Sequence, residues 1–316
     1  MERWGDPNLY YDPDPKAPDK TYSRIGGFLQ DFTFDPLAYR IPPSVAKSMD
    51  RTQQLAVACV ADALRDAGLA PEELKSKRVG IVLGNSMGGE TTDLYAVRVI
   101  MPRTLAVLRE AFEKQEIDPE SREEILNEFR TRFLSDLPDI TEDSLPGELA
   151  NVIAGRVANV FNLAGPNFTV DAACASSMAA MLNAVAALRQ GTIDYAVTGG
   201  IDAAMGPASF VKFCNIGALS PDGSRPFDEA ANGFVMGEGA GIMILKRLSD
   251  AIRDNDRIYA TVLAVGSSSD GRGKGITAPN AAGKERAVQV SQQNLGSLDC
   301  RKQDLIEGEL NKISIL

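Results

Sequence analysis

The sequence predicts an α/β fold, because short apolar runs typical of buried strands alternate with segments of helical periodicity. VGIVLGN (Val79–Asn85), IDYAVTGGIDAA and RIYATVLAVG each predict a strand, and helix-forming segments lie between them. The chain has 316 residues, which is enough for one large or two ordinary domains. Its hydrophobic fraction of 44% and charged fraction of 24% are ordinary for a globular protein.

The first third of the chain leads from a loop region into the sheet. Residues 1–45 are rich in proline, aspartate and tyrosine and predict an ordered surface loop region. Asp50 is placed to cap a helix that continues to Gly68, and Cys59 lies on the apolar face of that helix. We therefore expect Cys59 to belong to the core.

Residues 93–150 predict a helical insertion of a different character. Pro119 divides the helix-forming stretch into two segments. From Arg109 to Asp143 there are twelve acidic and five basic residues, a net charge of −7. We favour a solvated helical surface, and an interaction surface for a partner is the alternative.

The stretch NFTVDAACASSMAAMLNAVAALRQG, from Asn167 to Gly191, predicts a short buried strand that leads into a helix. Cys174 lies at the junction between the two. From Met178 onward the helix is apolar on nearly every face, which predicts burial, and Gly191 ends it.

Cys174 is a candidate nucleophile. Small residues surround it, so the backbone can turn tightly and leave space over the sulfur. A cysteine at a helix N-terminus lies near the positive end of the helix dipole, which favours the reactive thiolate. A free core cysteine is equally compatible with the spacing, so both interpretations stay open on the residues alone.

The glycine-rich segment GEGAG, Gly237–Gly241, does not match a dinucleotide-binding fingerprint. Such a fingerprint follows a strand and opens a helix, whereas these glycines precede the predicted strand Ile242–Lys246. The glycines instead predict close backbone packing, with Glu238 ordering the loop.

Composition argues against several classes of partner. The net charge of −10 and the lack of basic clusters argue against nucleic acid and anionic membranes. The apolar runs are too short and too alanine-rich to cross a bilayer, and MERWGDPNLYY contains no apolar signal region. The cysteines are far apart without metal-binding spacing, so we expect a reduced, cytoplasmic protein. The chain has no histidine, the commonest general base and metal ligand.

VDAACASS resembles the active-site motif of β-ketoacyl synthases, the ketosynthase domains of fatty acid and polyketide synthases. Four further regions agree with that family and follow its order, so the resemblance covers roughly residues 1–290. The insertion before IAGRVANVFNL resembles polyunsaturated fatty acid synthases or iterative polyketide synthases. The four regions are YYDPDPKAPDKTYSRIGGFL with FDPLAYRIPPSVAKSMDRTQ, VGIVLGNS, GALSPDGSRPFDEAANGFVMGEGAGIMILKRL and DRIYATVLAVGSSSDGRGKGITAPN.

The resemblance implies a thiolase-like layered α/β fold, which in the family consists of two related halves and usually forms a homodimer. Residues 1–250 would be the N-terminal half, with the helical insertion at about 93–150. Residues 251–290 would be the start of the C-terminal half, and residues 291–316 form a divergent tail, in which Cys300 receives no role.

The resemblance also implies a reaction. Cys174 would take an acyl chain as a thioester from an acyl carrier protein or coenzyme A, and its backbone N–H would contribute to the oxyanion hole. A malonyl thioester would lose carbon dioxide, and its carbanion would attack the Cys174 thioester to add two carbons. The phosphopantetheine arm belongs to the substrate, so neither a bound cofactor nor a metal is expected.

The chain departs from the family pattern in ways that limit this reaction. The family places two catalytic histidines, a lysine and a second oxyanion donor in its C-terminal half, and this chain has no histidine. It therefore resembles a ketosynthase cut at both ends, and we expect little condensation by the chain alone, slow acylation, and exposed apolar faces. The alternatives are a non-catalytic remnant that keeps a dimer surface and, less in keeping with the motifs, a degradative thiolase.

Overall fold

The structure is a computed structural model that describes residues 4–273, 275, 278, 280–295 and 313–316. The chain forms two compact units. The sheet unit comprises Gln53–Met87, Ala150–Asp202 and Gly239–Leu316, and the second unit comprises Met1–Thr52, Gly88–Leu149 and Ala203–Glu238. Most of the predicted divergent tail, including Cys300, lies outside the described residues, and the predicted family boundaries at residues 250 and 290 stay a prediction.

The sheet unit is built on a mixed, six-stranded sheet in the order β2-β1-β3-β4-β6-β5. β1 runs parallel to both β2 and β3, whereas β4 is antiparallel to β3 and β6, and β5 is antiparallel to β6. The strands are β1 Val79–Gly84, β2 Asn167–Val170, β3 Tyr195–Asp202, β4 Gly239–Arg247, β5 Ala260–Val262 and β6 Ile313–Ile315.

Helices occupy the segments between the strands, which confirms the predicted α/β class. Two short 3-10 helices, Pro7–Leu9 and Leu37–Tyr39, lie in the N-terminal loop region. The α-helices are α1 Pro43–Ser48, α2 Arg51–Asp66, α3 Pro71–Leu74, α4 Thr91–Lys114, α5 Pro119–Ser135, α6 Ser144–Glu148, α7 Val152–Phe161, α8 Ser176–Arg189, α9 Pro207–Asn215, α10 Leu248–Arg253 and α11 Ala281–Leu295.

Helix α8 packs one face on the sheet. Ala184 and Leu188 are fully buried, and they join Ala196 of β3 and Leu245 of β4 in one apolar cluster. The opposite face is open, because the Met178 side chain is 52% exposed. The prediction that this helix is buried on every face is therefore wrong, since only one side of it meets the sheet in the described chain.

The strand before Cys174 is also less buried than predicted. β2 is an end strand and pairs only with β1 among the described residues. Asn167 is exposed, and Phe168 is 42% exposed, although its aromatic side chain is typical of a buried strand. By contrast, β1 is buried along its whole length, as its apolar run predicts.

A cluster of ion pairs lies where β3 begins and β4 ends. The Lys246 side chain is 2% exposed, and its ammonium group lies 2.7 Å from Asp254 and 2.5 Å from Asp256. Burial alone lowers the pKa of Lys246, but the hydrogen bonds to these carboxylates outweigh burial and raise it. One residue on, Arg247 binds Asp194, which precedes β3 directly. The cluster therefore joins β4 to α10 and to the start of β3.

The second unit has its own aromatic core. Phe210 of α9 is fully buried, the Trp4 ring meets it edge-on at 4.8 Å, and the Trp4 Nε1–H donates to the Met205 carbonyl at 2.9 Å. Buried Asp50 accepts hydrogen bonds from Thr52 in the first turn of α2 and from Thr91, the first residue of α4. The predicted cap at Asp50 is confirmed, and it serves two helix starts.

The predicted insertion is helical, and Pro119 begins its second helix. Ion pairs join the two helices, with Arg109 on Glu123 at 3.0 Å and Arg122 on Glu113 at 2.7 Å. Arg109 and Glu123 are exposed, so their pair contributes little to stability, whereas the Arg122 side chain is only 15% exposed. Leu126 of α5 is buried.

Replacing Lys246 by methionine is expected to lower the free energy of unfolding by about 2 kcal/mol, because two acidic groups lose their buried counter-ion. Urea unfolding followed by far-UV circular dichroism measures the change. The control is Lys77→Met, since Lys77 is exposed and makes no ion pair within the described chain. An equal effect of the two substitutions would contradict this role of Lys246.

Candidate active site

Cys174 lies in the five-residue connection between β2 and α8. Because β1, β2 and β3 are parallel, their carboxyl ends meet at one edge of the sheet, and the connection follows the end of β2 at that edge. Open α/β sheets place ligand sites at the carboxyl ends of their strands. The junction predicted from the sequence is therefore present, and it lies at the carboxyl ends of the parallel strands, where ligand sites usually occur.

The backbone turns sharply at Ala173. Its φ of 50° is in the left-handed region, which is unusual for a residue with a side chain. The Asp171 carboxylate accepts the Ala173 N–H at 2.9 Å, and the Ala175 N–H donates to the Ala172 carbonyl at 3.1 Å. These bonds hold the turn, so Cys174 sits at the apex of a strand–turn–helix elbow.

Ser176 fastens the elbow from the helix side. Its buried hydroxyl accepts the Ala172 N–H at 2.9 Å and donates to the Ala173 carbonyl at 2.6 Å. The residues on the N-terminal side of Cys174 are thus tied to the first residue of α8. In the sequence, Ser176 stands out only as a small neighbour of Cys174, and its hydroxyl is the signal that could have indicated this role.

Two glycines let α8 approach the sheet below the elbow. A Cβ on Gly84 of β1 would overlap the Ser176 carbonyl, and a Cβ on Gly200 of β3 would lie 2.7 Å from the Ser177 Cβ. Buried Asn85 joins the same strand ends, because its Nδ2–H donates to the Ile201 carbonyl at 2.9 Å. The glycines at these positions therefore fix where the helix begins.

Cys174 presents two groups that suit acyl chemistry. Its side chain is exposed, and its backbone N–H donates to no other group in the described part of the chain. A thiol can attack a carbonyl carbon, and a free N–H beside it can stabilise the oxygen anion that forms. The elbow thus presents an exposed thiol and an available backbone N–H on a single residue.

The other described cysteines are in different environments. Burial raises the pKa of the Cys59 thiol, which disfavours its thiolate, and its Sγ lies 3.8 Å from the Ala240 carbonyl. Cys214 is buried, with its Sγ 3.1 Å from the Thr21 hydroxyl. Cys59 is only half-buried, so its predicted core position is correct in part.

The glycine-rich segment does not need its glycines in the way that the sequence predicted, because a Cβ on Gly239 or Gly241 would meet nothing within 4 Å. The position that requires glycine is on the neighbouring strand. Gly239 and Gly241 begin β4 itself, so the strand starts three residues earlier than predicted. Gly199 of β3 faces the Gly241 carbonyl so closely that a Cβ there has no room. The buried Glu238 carboxylate accepts the Leu29 N–H at 2.9 Å and pairs with Arg51, so it orders a loop.

Neither a metal-binding cluster nor a membrane-spanning helix occurs among the described residues. No group of three or more histidine, cysteine, aspartate or glutamate side chains there is arranged to hold a metal ion. None of the helices described is both long enough and apolar enough to cross a membrane.

Known proteins with related sequences are large synthases. The chain is 33% identical over 304 residues to a polyunsaturated fatty acid synthase subunit from Thraustochytrium, covering 96% of this chain and 10% of that protein. It is 34% identical over 308 residues to the polyketide synthase GfsB of Streptomyces halstedii, covering 97% of this chain and 5% of that one. The chain thus spans a small part of these relatives.

Solved structures give the same result. An oxazolomycin ketosynthase domain of Streptomyces albus superposes with a TM-score of 0.76 at 28% identity, covering 94% of this chain and 45% of that chain. The ketosynthase from module 6 of the bacillaene synthase of Bacillus subtilis gives a TM-score of 0.71 at 31% identity, covering 94% and 43%. The predicted thiolase-like α/β class is confirmed by this likeness.

The family model for the N-terminal domain of β-ketoacyl synthases matches residues 1–251, most of the chain. The VDAACASS elbow, with its strand before and helix after, lies inside that match. The chain belongs to the β-ketoacyl synthase family.

Proposed function

We propose that this chain performs the acyl-loading step of a β-ketoacyl synthase, with Cys174 as the nucleophile. The observation that carries the proposal is the exposed Cys174 thiol at the apex of the elbow, beside its own N–H, which donates to no group among the described residues. The substrate class is an acyl thioester carried on the phosphopantetheine arm of an acyl carrier protein or of coenzyme A. That arm is part of the substrate, so the protein binds no separate cofactor in this proposal.

The loading step is a transthioesterification. The Cys174 thiolate attacks the carbonyl carbon of the acyl thioester, and the carbonyl oxygen becomes an anion near the Cys174 N–H. The tetrahedral intermediate then expels the phosphopantetheine thiolate, which takes up a proton from solvent. One thioester is broken and one is formed, so no oxidant or metal is required.

Chain extension is the second half of the family reaction. A malonyl thioester loses carbon dioxide, and the resulting carbanion attacks the carbonyl carbon of the acyl group on Cys174. The thioester bond to Cys174 then breaks, and the Cys174 thiolate leaves. Decarboxylation needs groups that polarise the malonyl thioester, and the 316 residues include no histidine for that task. We therefore propose that the chain by itself accepts acyl groups but condenses them poorly.

The proposed assembly is a cytoplasmic homodimer that pairs through the open edge of β2. The Ile81 N–H donates to the Pro166 carbonyl at 2.9 Å, and the Asn85 N–H donates to the Val170 carbonyl at 3.1 Å. Because bonding alternates along a parallel strand, the N–H groups of Asn167 and Thr169 point away from β1. An edge with free donors and carbonyls is a template for pairing with a second copy.

Acylation is tested by intact-mass measurement after incubation with hexanoyl-coenzyme A. One hexanoyl adduct is expected on the native chain and none on Cys174→Ala, because the only exposed thiol among the described residues is then gone. Cys59→Ala is the matched control and should keep the adduct, since burial raises the pKa of the Cys59 thiol. A Cys300→Ala variant should keep it too. An adduct that persists in Cys174→Ala, or its absence from folded native protein, would sink the assignment.

Condensation is tested by adding malonyl-coenzyme A labelled at its free carboxyl carbon to the hexanoyl-loaded chain. Release of labelled carbon dioxide should stay within about twofold of the buffer blank, because no histidine is available to polarise the thioester. Release far above the blank that depends on Cys174 would contradict the proposed deficiency.

Dimerisation through β2 is tested with Asn167→Pro. Proline removes one outward N–H at the first residue of the strand, where it leaves the bonds to β1 intact. We expect the dissociation constant from sedimentation equilibrium to rise about tenfold, since a dimer loses two hydrogen bonds. Asn167→Ala keeps the N–H and should behave as the native chain. Unchanged association of Asn167→Pro, with no slowing of Thr169 amide exchange on dimerisation, would refute pairing at this edge.

A further inference from the structure

Helix α4 carries an apolar seam that the described chain leaves uncovered. Val97, Ile100 and Val107 are 42%, 56% and 58% exposed. Together with Thr104 and Ala111 they recur at alternating spacings of three and four residues. This is the heptad spacing of a helix that pairs with another helix along a narrow seam, with Val97, Thr104 and Ala111 at a positions and Ile100 and Val107 at d positions.

The seam borders the face that packs inside the second unit. Buried Met101 lies at an e position beside the seam, and buried Tyr95 lies on the opposite side of the helix. The ion pairs to α5 also leave from that side, through Arg109 and Glu113. α4 therefore has an exposed apolar seam in addition to the side that carries its ion pairs to α5.

The centre of the seam is shaped to accept a side chain. A hollow of about 310 Å³ is lined by Ile100, Arg103, Thr104, Val107 and Leu108. Ile100, Arg103, Thr104 and Val107 occupy heptad positions d, g, a and d, the four positions that form a hole around an a residue in a coiled coil. The hollow therefore has the composition of a hole that lacks its knob.

Two charges flank the seam on the same side. Arg103 and Glu110 are one heptad apart, both at g positions, and both are exposed. Neither makes an ion pair or a side-chain hydrogen bond in the part of the chain described. By contrast, the nearby Arg98, Arg109 and Arg122 are each paired with a carboxylate. The seam thus carries one unpaired positive and one unpaired negative group of matched spacing.

We propose that α4 pairs in antiparallel fashion with α4 of a second copy of this chain. The register of the pair places Val107 of one copy in the hole around Thr104 of the second copy. The same register places Ile100 against Ala111 of the second copy. A two-fold axis then brings Arg103 of each copy onto Glu110 of the other, because g positions face g positions in an antiparallel pair.

The charges at Arg103 and Glu110 decide whether the two helices run parallel or antiparallel, and they also decide which partner fits the seam. A parallel pair in register would set Arg103 against Leu108 and Glu110 against Gln115, which leaves both charges unpaired. A partner of a different sequence would need to supply both an acid and a base at matching sites. The seam supplies both itself, so a second copy is its complement. The contact involves neither Cys174 nor the edge of β2, so it stands or falls independently of the proposed acylation.

A charge swap tests the contact. Arg103→Glu and Glu110→Arg should each raise the dissociation constant of self-association about tenfold or more, because each sets like charges against one another at two symmetric places. The double variant R103E/E110R restores opposite charges, so its dissociation constant should return to within about threefold of the native value. Sedimentation equilibrium measures all four proteins, first with the native β2 edge and again with Asn167→Pro to weaken pairing through β2.

Matched controls carry the same charge changes on α5. Arg130→Glu and Glu124→Arg are exposed, make no ion pair among the described residues, and should leave association unchanged within about twofold. The proposal is overturned if the single reversals behave like these controls, if the double variant stays as weak as the single ones, or if the native chain is monomeric at every concentration. If acylation is lost but the charge variants associate as expected, the result counts against the proposed function and not against the α4 contact.

Discussion

The close approach of α8 to the sheet is the constraint on which the candidate site depends. Gly84 and Gly200 lie where any Cβ would meet the first two residues of the helix. Ser176, held at that point, binds the backbone on the N-terminal side of Cys174 through its hydroxyl. The absence of two side chains in the strands thus fixes the position of the Cys174 thiol, because packed backbones deform little.

The same strands carry stability at their other end. β3 begins beside Asp194. The hydrogen bonds from Arg78 are the main cause that lowers the pKa of Asp194, and the hydrogen bond from Arg247 lowers it further. Partial burial acts in the opposite direction but does not outweigh them. Lys246 and its two carboxylates complete this charged end. The elbow at the opposite end has a left-handed alanine and an exposed cysteine, which add strain and no apolar burial. The stabilising ion pairs and the strained elbow with its exposed thiol therefore lie at opposite ends of one sheet.

Two surfaces of the described chain have bonding capacity that it does not use. The edge of β2 offers backbone hydrogen bonds, whereas the seam of α4 offers apolar side chains and a pair of charges. The edge of β2 can pair with any strand and does not select a particular partner, because backbone groups are the same in every strand. The seam of α4 selects by charge position, so it can specify a copy of the same helix. The sequence predicts a solvated surface for the acidic insertion. The structure shows such a surface on α5, whereas one face of α4 is apolar.

The sequence by itself determined the α/β class, the positions of β1 and the two insertion helices, the cap at Asp50 and the family motif around Cys174. These follow from local periodicity, turn residues and a motif, all of which are written in neighbouring residues. Only the tertiary structure decided that Phe168 lies on an open edge, that α8 has one bare face, that Ala173 is left-handed and that Gly200 supports the helix start. Burial and strain depend on which distant segments pack together, and no local pattern around Cys174 records that Gly84 and Gly200 leave room for it.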